Sequence, residues 1–146
     1  MRRIPRWYIA FCVIKVAQGA FSQLLPLYAY FLGAKAAQVG LLSAVGSATA
    51  IVASLFWGKL ADASPRRRPL VLFGFFGLAG GYALIAFLTS VRALFPLTVG
   101  VTFVGMAAGT AATLLVLAES PRADWEKELG RFNAISGVGW TLGLLL

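Results

Sequence analysis

A chain of 146 residues that is 60% hydrophobic, only 12% charged and carries a net charge of +8 does not have the make-up of a water-soluble domain. Soluble domains are about one quarter charged; here the charges cluster between apolar runs long enough to cross a hydrocarbon core that needs about 20 residues. With no His and a single Cys, neither an intrachain disulfide nor a Cys/His metal site can be built.

The N-terminus (Arg2, Arg3, Arg6, then apolar residues) has the outline of a signal peptide, but its apolar run continues to Leu32, too long for a cleaved segment. It reads as a retained first span over about 7–32, with Trp7 and Tyr8 at the interface. Gly33-Ala34-Lys35 forms a turn, and a second span covers about 37–60. A basic loop follows, punctuated by Pro65 and Pro69. A third span over about 70–88 and a tight turn at Ser90-Val91-Arg92 lead into a fourth span over about 95–118. The hydrophilic stretch 119–131 then precedes a fifth apolar helix over 132–146. At about fifteen residues this last stretch is shorter than a span needs, and it has no glycine cap, charged flank or terminal aromatic. The expectation is an all-α, polytopic transmembrane bundle represented by its N-terminal part and truncated in the fifth helix.

The basic residues divide unevenly. Arg2, Arg3, Arg6, Lys59, Arg66, Arg67, Arg68, Arg122, Lys127 and Arg131 belong to the N-terminus and the second and fourth loops, while the other two turns hold Lys35 and Arg92. That bias predicts an integral protein of the cell (inner) membrane with a cytoplasmic N-terminus. It also makes anionic lipid head groups, and not nucleic acid, the partner of the positive charge.

The remaining cation, Lys15, falls inside the first span. At 100° per residue, Lys15, Gln18, Gly19, Ser22, Gln23, Pro26 and Tyr30 share one side of the helix, opposite Ile9, Val13, Val16, Leu24 and Leu27. A lysine near mid-bilayer costs about 2.5–3.5 kcal/mol unless watered or paired. Such a stripe is expected to face a cavity, where Lys15 binds an anionic group or takes part in ion coupling. Snorkelling toward the cytoplasmic interface is the competing reading. A milder stripe, Thr98, Thr102, Gly105, Gly109 and Thr113, runs along the fourth span. Small residues at four-residue spacing (Gly46, Ala50, Ser54, Gly58) indicate close helix packing. No span holds an Asp or Glu, and there is no phosphate loop ending in Gly-Lys-Ser/Thr. No catalytic, metal or cofactor site is expected.

The loop after the second span resembles the signature of the major facilitator superfamily, G-x-L-a-D-r-x-G-r-k-x-x-l. Gly58, Leu60, Ala61, Asp62, Arg66, Arg67 and Leu70 match in register, while Ala63 and Pro65 stand where the family usually has Arg and Gly. The resemblance extends over essentially the whole chain. It implies a transporter in which the loop aspartate contacts a helix end from a second half of the molecule and helps hold the outward-facing state. Two antiporter motifs of the family fail here: Val101 occupies the position of an arginine, and Leu144 follows Gly143 where a proline is usual.

The functional expectation is therefore a secondary active transporter, not an enzyme, that moves a small-molecule substrate by alternating access. Export and a coupling ion are left open. Lys15, Gln18, Ser22, Gln23, Tyr30 and Thr102 are the cavity candidates. Gly58, Leu60, Asp62, Arg66 and Arg67 belong to the cytoplasmic gate, with the C-terminal half expected as intramolecular partner. The alternative is a non-transporting membrane anchor or scaffold that presents 119–131 to a cytoplasmic partner.

Overall fold

A computed structural model describes residues 6–64 and 67–146; Arg66 lies outside these, as do the side chains of Arg6 and Arg67. The described residues form five α-helices and no strand: α1 (Arg6–Phe31), α2 (Ala36–Ala63), α3 (Arg67–Ala86), α4 (Val91–Glu119) and α5 (Trp125–Leu145). A 3-10 turn at Arg122–Asp124 precedes α5. The all-α class expected from the sequence holds. Four helices, over Trp7–Phe31, Ala36–Ala63, Arg68–Ala86 and Val91–Glu119, are long and apolar enough to cross a membrane.

Local chemistry sets the helix ends. α1 stops at Gly33, whose φ of 87° is the only positive φ among the described residues. Ala34 N–H donates to the Ala29 carbonyl at 3.0 Å, and Gly33 N–H to that of Tyr30 at 2.9 Å. These are the two bonds of a Schellman motif, and Ala29 and Ala34 are both buried beside it. At the start of α2, Gln38 Oε1 accepts the Lys35 backbone N–H at 2.8 Å.

The fifth helix begins earlier than the apolar pattern indicates. Trp125–Arg131, read from the sequence as loop, is its first two turns. Glu126 and Glu128 sit where the helix dipole favours acids, and Arg131 pairs with Glu128 at 2.9 Å. Hydrophilic composition marks the end of an apolar stretch, not the end of a helix.

The chain divides into two compact units. One combines residues 1–25 with 116–146; the other is the continuous stretch 26–115. In the first, Gly19, Gly139 and Gly143 bring α1 and α5 together at backbone distance. A Cβ on Gly139 would collide with the Cys12 carbonyl, and one on Gly143 with that of Val16. Trp7, Tyr8 and Phe11 close round Phe132 with ring centroids 5.7, 5.3 and 4.9 Å away. The Trp125 indole N–H is shared between the carbonyls of Leu117 (3.0 Å) and Ser120 (3.1 Å), which fastens the start of α5 to the end of α4.

In the second unit α3 and α4 pack antiparallel: Gly74 faces Ala108, Gly77 faces Val104 and Gly81 faces Val101. Ala53, Trp57 and Ala107 form a buried core joined by Leu70, Phe103 and Met106. The Trp57 indole donates to the Phe103 carbonyl at 2.7 Å. At the far end, the Tyr28 hydroxyl donates to the Leu88 carbonyl at 2.5 Å.

Candidate functional site

Lys15 lies on α1 one turn after Phe11, and the two side chains share a face through their four-residue spacing. Its Nζ sits 5.7 Å from the Phe11 ring centre and 5.8 Å from that of Trp140 on α5. Both distances fall within the range of cation–π attraction, about 6 Å. The side chain is half-buried. No carboxylate pairs with it among the described residues, and the acids of the chain, Asp62, Glu119, Asp124, Glu126 and Glu128, all lie outside the cores of the four apolar helices. Because Phe11 precedes Lys15, the amine leans toward the N-terminal end of α1, the direction of snorkelling. What receives it is a pair of aromatic rings.

The Lys15–Trp140 contact follows from the glycines. The Gly139 Cα faces Cys12 and the Lys15 Cβ so closely that any side chain there would displace them, which places Trp140, the next residue, beside the lysine. Ser136, four residues before Trp140 and on the same face of α5, has a buried Oγ without a hydrogen-bond partner. The sequence reading passed over Phe11, Ser136 and Trp140. The available signal was a tryptophan in the middle of an apolar stretch beside a Gly-x-x-x-Gly pair, away from the interface where tryptophans usually settle.

The other α1 candidates share the expected face but do not gather. Ser22 donates to the Gly19 carbonyl at 2.6 Å, which uses its hydroxyl within its own helix. Gln18 is half-buried, and Gln23 and Tyr30 are exposed. On α4, Thr102 is half-buried, while Thr113 donates to its own helix at Gly109, 3.1 Å away. Thr98 is 6% exposed and its Oγ1 has no partner; its methyl group lies next to Gly46 of α2. Val101, in the position of the antiporter arginine, is 7% exposed against Gly81. An arginine there would enter the α3–α4 contact and not a cavity.

Two residues of the loop motif help build a cleft. Gly58 and Asp62 on α2, with Met106, Gly109, Thr110, Thr113 and Leu114 on α4, line an open, mostly apolar groove of about 430 Å3. The Asp62 side chain is exposed at its rim, and Leu60, on the same helix, is 41% exposed. At Gly58 a Cβ would stand 3.9 Å from Thr110 Cγ2, an ordinary contact, so the groove wall has room at this position. The motif's Arg66 lies outside the described residues, and of Arg67 only the backbone, at the start of α3, is described.

No curated protein and no solved structure matches this chain. The family model described as Major Facilitator Superfamily matches residues 7–146, which takes in all four long apolar helices, the loop motif and α5. The chain therefore belongs to the Major Facilitator Superfamily, a family of integral membrane transporters and not of enzymes.

Proposed function

We propose that this chain forms part of a secondary active transporter that moves a small solute by alternating access. In such architectures the substrate binds near the bilayer midplane between two repeats, which rock to expose it to one side and then the other. The polar side of α1 supplies one wall of that path, with Lys15 and Gln18 foremost and Ser22 and Gln23 on the same helix face; Tyr30 and, on α4, Thr102 are the further candidates. The N-terminus, the start of α3 at Arg68 and the start of α5 at Lys127 face the cytoplasm of the cell (inner) membrane. A solute leaving the cell, with or without a coupling ion, fits this arrangement as well as one entering.

The observation that carries the reading is the groove between α2 and α4, where motif residues Gly58 and Asp62 stand at an open apolar surface. It is suited to receive a helix of a second half of the transporter, with the Asp62 carboxylate at that helix's N-terminal end. A contact of this kind is worth about 0.3–1 kcal/mol when exposed. The scaffold alternative gains less support, because 119–131 is not a free loop: Trp125 ties it to α4 and Arg131 pairs within α5.

The test is made on the full-length protein in proteoliposomes. Asp62→Asn lowers transport by up to about fivefold, the equivalent of about 1 kcal/mol, with the amount of inserted protein unchanged. Lys15→Ala lowers transport in the same way. Full transport by both variants overturns the assignment of groove and cavity.

A further inference from the structure

Resting on the transporter reading, we infer that the transported solute is a small organic anion whose oxyanion meets Lys15 while its apolar body lies against Trp140. Three observations on α1 and α5 converge. Lys15 is a half-buried cation in an apolar helix, with two aromatic rings and no carboxylate as its neighbours. Ring quadrupoles attract an ammonium but do not neutralise it, so the charge is left for an anion to complete. Ser136 holds a buried hydroxyl with no acceptor, on the α5 face that also carries Trp140. An unused donor one turn from Trp140 on α5 is what a second oxygen of a carboxylate or phosphate requires. Trp140 itself is 38% exposed, so part of its ring is open to an apolar group.

A cationic substrate is disfavoured by the same geometry. It would sit beside Lys15 with no acid from the apolar helices to offset the repulsion. A neutral substrate would leave the lysine uncompensated at the membrane interior cost. The anion answers both, and the backbone contact of Gly139 with Cys12 keeps ammonium and indole in register.

The experiment follows thermal unfolding of the purified full-length protein in neutral detergent, titrated with benzoate, glutarate and phenyl phosphate, and with benzamide and benzylamine as neutral and cationic counterparts. At least one of the three anions raises the melting temperature, and the two counterparts do not. Lys15→Gln weakens that anion's binding by about tenfold to a hundredfold, the worth of hydrogen bonds to a charged group, whereas Lys15→Arg retains most of it. Ser136→Ala leaves the melting temperature without anion unchanged or higher, since it removes a hydroxyl that has no partner, yet weakens the anion severalfold. Absence of any anion response, or its survival in Lys15→Gln, overturns the inference. Counterflow in vesicles separates the two levels. Movement of benzamide or benzylamine that Lys15→Gln leaves intact overturns the anion and keeps the transporter. Lys15-dependent stabilisation by an anion, with no compound of any charge crossing faster than in empty vesicles, keeps the anion site and overturns the transporter.

Discussion

In the α1–α5 junction a Cβ added at Gly139 or Gly143 would run into the carbonyls of Cys12 and Val16, whereas in the α3–α4 junction a Cβ at Gly77 or Gly81 would run into valine methyl groups of Val104 and Val101. Both junctions read identically in the sequence, as small residues spaced by three or four. They differ in what gives way. A valine side chain is stiff at χ1 on a helix but can shift slightly, whereas a helix carbonyl is fixed by its own hydrogen-bond ladder and cannot retreat without moving the helix. Membrane helices associate through such close contact because lipid supplies no hydrophobic drive between them. The first junction therefore sets the register of α1 against α5 at backbone level, and that register positions Lys15 beside Trp140. The second is mixed: Gly74 meets the backbone of Ala108, while Gly77 and Gly81 meet only valine side chains, and none of these contacts carries a charged group.

The largest effect expected to test this contrast is at Gly143. Gly143→Ala costs about 3 kcal/mol, the upper end for overpacking, because its Cβ meets the Val16 carbonyl and the backbone of Ala20 together. Unfolding of the purified protein by denaturant or heat measures it, and loss of the Lys15-dependent anion response accompanies it. Next comes Trp57→Phe in the other unit, at about 1.5 kcal/mol. It removes the indole bond to the Phe103 carbonyl and shrinks a ring packed 5.6 Å from Phe103 and 5.7 Å from Phe73. Gly77→Ala follows at about 1 kcal/mol, since Val104 can yield. A cost at Gly77 equal to that at Gly143 breaks the comparison.

Much of this was legible in the chain. Apolar length and the Gly58–Leu70 motif carried the helical class and the family, because bilayer thickness and backbone hydrogen bonding leave few alternatives to long helices. The Lys15 stripe was legible as a helix face. Its partners were not. Which rings approach Lys15 depends on the crossing of α1 and α5, and the 3.6-residue period of one helix carries no information about its neighbour. The start of α5 was hidden for another reason: Glu126, Glu128 and Arg131 are good helix residues that a hydropathy pattern counts as loop. Ser22 and Thr113 show the reverse error, since a hydroxyl on a promising face was already bonded to its own helix.

The smallest expected effect sharpens the contrast from the electrostatic side. Glu128 is paired with Arg131 at 2.9 Å and lies in the first turn of α5, so Glu128→Gln loses a pair across three residues and a charge favoured by the helix dipole. Each is worth about 0.3–0.5 kcal/mol at such a partly exposed site. The sum stays below about 1 kcal/mol and shrinks in high salt, because exposed charges are screened over about 10 Å at 0.1 M. If α5 is held by backbone contact with α1, this change lowers the melting temperature far less than Gly143→Ala and leaves the anion response of Lys15 intact. If it instead matched the glycine, the α1–α5 junction would owe its stability to charges at its polar end, and the register of Lys15 with Trp140 would vary with ionic strength.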